Sequence, residues 1–374
     1  MSAGAALRVV HVDTERGWGG GQRQLHWLAT GMQRRGHQSW VVTRPRTALA
    51  AALVRDGVPV VPLSPAFEWD PVAVARLRAL LRHVRADVVH AHAAHAVAVA
   101  AAAVAGTSIP LLVSRRVALP LRRNPLSRWK YARADRFIAV SERVRSVLGS
   151  GGIAAARIVV VRSGIDVGHV AAPASAATLR ALGIEPGRPL IVMVSSLVPP
   201  HKDPATFLAA IAALRLSNGD VQALLVGDGP LAGPAMRLGR RLGLERTVRM
   251  TGFRADADRL LAAADVAVLS SRDEGLGTTL LDAMAAGVPV AATAAGGVTE
   301  IVRDGVDGLL VPVGDGPALG AAIGRLLRDE GVRAAVVASA RERVQQFSVD
   351  GMVEGTLAVY RALGRGDGTR REVA

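Results

Sequence analysis

The chain contains no cysteine. Disulfide bridges and thiolate-held metals are excluded, and the absence fits a reducing compartment. Aromatic residues are scarce, at 3% of 374 residues. With half the chain apolar, Ala, Val and Leu must fill the interior, and a chain of this length has room for two cores. Lysine is nearly missing. Lys130 and Lys202 stand alone among 46 basic residues, the rest being arginine. Where composition has drifted towards arginine, a lysine that remains marks a place for a compact point charge. The same drift makes the net charge of +15 weak support for any one partner, although such a charge attracts nucleic acid and anionic lipid alike. The stretch closest to a membrane span, residues 93–113, is broken by Gly106, Thr107, Ser108 and Pro110. It predicts a buried helix followed by a strand. The opening MSAGAALRVVHVD lacks a basic n-region followed by an apolar one, so no signal peptide is expected, and a cytoplasmic location is expected with it.

What is present is organised around residues 270–300, SSRDEGLGTTLLDAMAAGVPVAATAAGGVTE. An apolar strand, 266–269, feeds an acidic pair (Asp273, Glu274), a Gly-Thr turn and a helix over about 277–286. Gly287 ends that helix, and a buried strand follows over 288–293. A strand, a glycine-rich turn and a helix make a phosphate cradle, because unpaired N–H groups and the positive helix end face an anion. Glu274 and Asp282 flank the cradle. Eight residues of helix rise about 12 Å, which suits one acid near sugar hydroxyls and one near a ribose. Neither the GxGxxG nor the GxxxxGK[ST] pattern fits.

The string EGLGTTLLDAMAAGVPVAATAAGG resembles the carboxyl-side motif of the family-4 retaining glycosyltransferases. The family usually has a second Glu where this chain has Asp282. The resemblance runs over nearly the whole chain. It implies an α/β architecture of the GT-B type: two Rossmann-like domains facing each other across a cleft, with a C-terminal helix crossing back to the first. The boundaries expected are 1–170 for the acceptor-side domain, 171–189 for a linker rich in Ala, Pro and Gly, 190–347 for the nucleotide-sugar domain, and 348–374 for the crossover helix with a polar, disordered tail.

The chain opens with a strand over 7–12, a glycine-rich loop over 13–22 and a helix over 22–35, where apolar residues recur at helical spacing. Gln22 stands where a dinucleotide fingerprint needs a small residue, so a nicotinamide reading fails. The resemblance places Gly20 and Gly21 against the donor phosphate and acceptor. Further strands are expected near 39–43, 58–63, 87–91, 111–114 and 136–140. Asp70 with Pro71, and Ser141, mark helix starts. Repeated βα units give parallel sheets covered on both faces.

His90, His92 and His95 follow a strand end without carboxylate or thiol partners nearby, and no metal site is expected. His92 sits where the family often faces the acceptor with a polar residue; a capping or core histidine is the plainer alternative. In residues 113–131, arginines at 115, 116, 122, 123 and 128 and Lys130 interleave with leucines and Trp129. This basic, apolar loop suits either a membrane headgroup zone or an ordinary solvated face. Arg116 takes the place of the family's usual histidine and brings a cation suited to an anionic acceptor. Ser163 replaces the family's Asn in the segment 158–166.

In the second half, strands are expected over 190–194, 222–227 and 248–251. Lys202 matches the family's diphosphate-binding Lys, whereas Ser196 occupies the place of its Arg. Phe253 and Arg254 lie in the loop that, in the family, reads the base through backbone groups, and the resemblance makes them candidates for that role. Gly296 and Gly297 form a further close-approach loop. Glu300 bonds a ribose or caps a helix. Helices are expected over 313–328, 332–347 and 352–363.

The resemblance therefore implies a retaining, metal-independent hexosyl transfer from a nucleotide diphosphate sugar, UDP first among the nucleotides, with no other cofactor. Leaving-group charge would fall on the backbone of Gly277, Thr278 and Thr279 and on Lys202. Glu274 would hold the sugar hydroxyls and Asp282 the ribose diol. The acceptor expected is a glycan, a lipid-linked or another anionic molecule of bacterial envelope synthesis, with peripheral contact to the inner membrane face and no nucleic acid. The alternatives are a nucleotide-sugar epimerase of the same fold and a non-catalytic basic module for nucleic acid or anionic lipid.

Overall fold

A computed structural model describes residues 6–122 and 124–364. Arg123 and the polar tail 365–374 lie outside the described residues. The chain divides into two compact units. The first ends at Gly164 and resumes at Val349; the second is Ile165–Ser348.

The first unit alternates strand and helix: β1 (Arg8–Val12), α1 (Gly20–Arg34), β2 (Gln38–Thr43), α2 (Ala48–Arg55), β3 (Val60–Pro62), α3 (Pro71–His83), β4 (Val88–Ala91), α4 (Ala94–Val104), β5 (Leu111–Arg115), α5 (Pro125–Ala132), β6 (Arg136–Ala139), α6 (Glu142–Ser150) and β7 (Ile158–Val160). All seven strands are parallel, in the order β3-β2-β1-β4-β5-β6-β7. Central strands such as β4 are buried at every position, as a sheet covered on both faces requires. The capping signals hold. Asp70 Oδ1 accepts from the Val72 and Ala73 amides at 2.9 and 3.2 Å with Pro71 at the first position, and Ser141 Oγ accepts from Val144 at 3.1 Å. The apolar stretch near 93–113 is the buried helix α4 followed by β5.

The second unit holds α7 (Ala176–Ala181), β8 (Leu190–Val194), α8 (Pro204–Asn218), β9 (Gln222–Val226), α9 (Ala232–Arg241), β10 (Val248–Gly252), α10 (Ala257–Ala262), β11 (Val266–Leu269), α11 (Thr278–Ala285), β12 (Val290–Thr293), α12 (Val298–Ile301), β13 (Leu309–Val311), α13 (Gly316–Arg328) and α14 (Glu330–Val344). Its six parallel strands run β10-β9-β8-β11-β12-β13. The segment 171–189 carries α7 and bonds into this unit: the Ala174 amide donates to the Arg259 carbonyl at 2.8 Å, and the Glu185 amide donates to Gln222 Oε1 at 2.7 Å. With few aromatics to fill space, helices pack closely through small residues. A Cβ on Gly320 of α13 would lie 2.6 Å from the Ala210 carbonyl of α8. The last helix, α15 (Val349–Gly364), belongs to the first unit. It packs on α1, where a Cβ at Gly31 would meet Val353 at 2.7 Å.

Several boundaries differ from expectation, three of them for identifiable reasons. The first helix starts at Gly20, because Gly19 takes the extended N-cap conformation and Gln22 Oε1 accepts its amide at 3.2 Å; Gly20 and Gly21 are its first turn and not a loop. Strand β12 starts at Val290, since Pro289 has no N–H to give to a ladder. The helix expected over 332–347 stops at Val344 and tightens into a 3₁₀ turn, Gln345–Phe347.

In each sheet the winding reverses beside its first strand, between β1 and β4 and between β8 and β11. An open parallel sheet leaves a crevice beyond its strand carboxyl ends at such a point.

Candidate functional site

At the β8–β11 reversal two loops are tied together. The loop after β8 is held by the loop after β9: the Ser195 amide donates to Val226 at 2.9 Å, Leu197 to Asp228 at 2.8 Å and Leu231 to Leu197 at 3.0 Å. Gly229, at φ +146°, comes so close that a Cβ would meet the Leu197 carbonyl at 2.4 Å. This clamp delivers Lys202 and then Asp203, which caps α8 by accepting from the Thr206 amide at 3.1 Å. The loop after β11 reaches back: the Arg272 amide donates to the His201 carbonyl at 2.8 Å. Lys202 Nζ forms an ion pair with Glu274 Oε1, with side chains only 13% and 9% exposed. Ser271 Oγ donates to the same carboxylate oxygen at 2.6 Å. Gly296 and Gly297 press from a third side. A Cβ on Gly296 would lie 2.5 Å from the Glu274 carbonyl, which accepts the Gly297 amide at 2.9 Å. Glu274 is therefore fixed from both ends.

Directly after it, Gly277 adopts φ +88° as the N-cap of α11, with no side-chain cap, and Thr278 and Thr279 open the helix. A Cβ at Gly277 would crowd Leu269 and Val298 at 3.3 Å. The arrangement pairs an ammonium group with a carboxylate just before the chain enters α11, whose N-cap glycine has no side chain to cap it. Such a set can hold an anion and a neighbouring hydroxyl.

At the β1–β4 reversal of the first unit lies a buried polar cluster. His11 Nδ1 and His92 Nε2 are 3.1 Å apart. His90 contacts Tyr360 Oη through Nδ1 at 2.7 Å and Ser114 Oγ through Nε2 at 2.8 Å. Burial drives His11 down to about 3. Burial, neighbouring imidazoles and Arg116 hold His90 and His92 well below the usual range. All three are neutral at pH 7. Asp13 accepts from the Glu15 amide at 2.8 Å and from Gln22 Nε2 at 3.1 Å, and burial raises its carboxyl. Burial lowers Arg116 to about 10, so it stays charged. Its Nη1 lies 3.5 Å from Ser163 Oγ, and a Cβ on Gly21 would be 3.5 Å from its Cδ. Ring nitrogens of His11, His90 and His92 come within 4.8 Å of one another. As a donor set they suit a cation poorly, because both His90 nitrogens are engaged and the Arg116 charge stands close by.

The family description "Glycosyltransferase Family 4" matches residues 18–169, and "Glycosyl transferases group 1" matches residues 188–329. The chain belongs to glycosyltransferase family 4. This family-4 chain is 34% identical over 223 residues to a D-inositol 3-phosphate glycosyltransferase of Salinispora arenicola, the match covering 54% of the chain and 49% of that relative. It is 36% identical over 142 residues to an N-acetyl-alpha-D-glucosaminyl L-malate synthase of Bacillus anthracis, covering 38% and 37%. The matches thus span about half or less of these relatives' length. Among solved structures, Anabaena HepE in complex with UDP and glucose superposes with a TM-score of 0.84 at 24% identity, covering 95% of this chain and all of that one. The fold is GT-B.

Within the family-4 chain, the expected residues divide into groups. Glu274, Lys202, Gly277, Thr278 and Thr279 come together at the second reversal. Asp282 lies in the middle of α11, half-buried. Ser196 is exposed on the clamped loop and restores no cation. Phe253 is exposed, whereas the Arg254 guanidinium is engaged bidentately by Asp256 at 2.8 Å, so its side chain is committed locally. His92 and Arg116 both stand at the first reversal. The histidine grouping differs from expectation: His95 is exposed on α4, and His11, 81 residues from His92, takes its place. Tyr360 and Asp13 were also missed. The His11 in the strand LRVVHV was the available signal, since a histidine inside a buried strand has to find partners.

The neutral imidazoles set a pH dependence. Their protonation is suppressed only in the folded state, so their stabilising effect is complete above the unfolded value of about 6.5 and is lost progressively as pH falls from there towards the folded value. Unfolding free energy should fall between pH 7 and 5.5, by up to about 1.4 kcal/mol per pH unit for each such imidazole. Urea unfolding should show a shallower slope for His11→Gln; an identical slope would mean that His11 titrates alike in both states.

Proposed function

We propose that this chain transfers a glycosyl residue from a nucleoside diphosphate sugar to an acceptor hydroxyl, with retention at the anomeric carbon. The observation that carries the reading is the Lys202–Glu274 pair set against the amino end of α11. Family membership and the UDP complex of the structural neighbour support a UDP-sugar as donor. On binding, the diphosphate would take the Lys202 ammonium and the first amides of α11, releasing Glu274 to accept bonds from sugar hydroxyls. The bond from C1 to the diphosphate oxygen then breaks, and the charge arising on that oxygen falls on preorganised donors. The acceptor oxygen bonds to C1 on the same face, and its proton passes to the departing phosphate. Lys202 and the first amides of α11 supply the positive charge to the diphosphate, which supports a metal-independent reaction. A cytoplasmic, hexosyl-transferring enzyme of envelope or lipid-linked glycan synthesis fits this set.

A peripheral membrane contact has its own support. No helix among the described residues is long and apolar enough to cross a membrane. Helix α5, however, exposes Leu126 (59%) and Trp129 (37%) beside the exposed Arg128, and Trp69 stands edge-on to Trp129 with ring centroids 5.5 Å apart. Apolar and cationic groups on one helix suit an anionic headgroup layer.

Two outcomes follow. Lys202→Ala should lower turnover at saturating UDP-sugar by about 10²–10³-fold with circular dichroism unchanged; turnover equal to the parent would remove Lys202 from the reaction. Sedimentation with phosphatidylglycerol vesicles should carry the protein down, and Leu126→Ser with Trp129→Ser should release it. Equal sedimentation with purely zwitterionic vesicles would argue against a headgroup contact.

A further inference from the structure

Unsatisfied polar atoms gather at one edge of the first sheet. Among the described residues, buried side-chain nitrogens or oxygens of His11, Thr14, Thr43, His92, Arg115 and Arg116 have no hydrogen-bond partner. All six residues lie at or just beyond the carboxyl ends of β1, β2, β4 and β5. A buried polar atom that nothing meets is costly, and the crevice of an open parallel sheet is at this edge. A polar ligand would remove these costs together.

Arg116 decides the sign of that ligand. It is half-buried with Nε shielded, and among the described residues no carboxylate makes an ion pair with it. Its one side-chain hydrogen bond is the long contact to Ser163 Oγ at 3.5 Å. Asp13 is near enough to act on its charge, yet that carboxylate is held by Gln22 and the Glu15 amide. Water can fill a polar cavity but cannot neutralise a guanidinium, whereas a phosphate or carboxylate takes two of its N–H donors at once. His11 Nε2 and His92 Nδ1, on neutral rings 0% and 8% exposed, can each donate or accept a single hydrogen bond, which matches hydroxyl groups.

We propose that the edge formed by β1, β4 and β5 is an oxyanion site. A phosphate or carboxylate on the glycosyl acceptor binds Arg116 there, and acceptor hydroxyls meet the unpartnered nitrogens of His11 and His92. The word acceptor rests on the glycosyltransferase reading; the oxyanion site itself does not.

The test uses the full chain saturated with UDP, so that a second anion cannot enter the donor cradle, and titrates inorganic phosphate and, separately, acetate by calorimetry. At least one of them should bind the parent protein, phosphate alone pointing to a phosphomonoester and acetate alone to a carboxylate. Arg116→Gln should weaken that binding at least about ten-fold, and Arg116→Lys should recover part of it. If Arg116→Gln unfolds, Arg116→Lys decides: an ammonium lacks the guanidinium's two-pronged fork, so it should bind the anion more weakly than the parent, and parent-like binding by it would place the anion elsewhere. Neither anion binding the parent, or equal binding by a folded Arg116→Gln, overturns the proposal. UDP failing to bind in the first step would sink the donor reading instead.

Discussion

A parallel sheet buried on both faces has no lateral surface to offer a ligand. What it offers is the edge where strand carboxyl ends emerge, and only where the winding turns back is that edge left uncovered. The chain builds such a sheet twice, with reversals at β1–β4 and β8–β11. The chemistry-bearing side chains follow this constraint. Lys202 and Glu274 sit beyond β8 and β11, and His11, His92 and Arg116 sit at or just beyond the carboxyl ends of β1, β4 and β5. The glycines at Gly229, Gly296 and Gly297 serve the same arrangement, because loops at these edges pass closer than any Cβ allows.

Charge is distributed with the same economy. Both lysines of an arginine-rich chain form shielded pairs with a glutamate: Lys130 with Glu68, and Lys202 with Glu274. A compact ammonium fits such pockets better than a planar fork. The two pairs differ in surroundings. Lys130 also donates to the Ala94 carbonyl at 3.0 Å and fastens α5 to neighbouring elements. Lys202 pairs with Glu274 just before α11, whose N-cap glycine carries no side-chain cap, and in the proposed reaction an incoming diphosphate competes for it. Among the described residues Arg116 has no such glutamate, and the proposed oxyanion site rests on that contrast.

Much of the fold was legible because it depends on short-range chemistry. Apolar runs of four or five residues marked the buried strands, Asp70, Pro71 and Ser141 marked helix starts, and the run from Glu274 to Gly297 marked a cradle. Residues whose role depends on distant partners were not legible. His11 meets His92 across 81 residues and Tyr360 meets His90 across 270; a histidine in a buried strand signals that partners exist, but no local pattern says which. Arg254 looked available because its bond to Asp256 is a side-chain choice that spacing does not dictate. The start of α1 was misplaced because glycine was read as loop, although a glycine N-cap and first turn are compatible with a helix that lets another group approach closely.

The central claim is that a pyrophosphate displaces Glu274 from Lys202. A crystal structure with a bound UDP-sugar tests it most directly. The account predicts the diphosphate against the amides of Gly277, Thr278 and Thr279, the Lys202 ammonium moved onto it, and Glu274 turned to the sugar. A nucleotide bound elsewhere, with the Lys202–Glu274 pair intact, would contradict it.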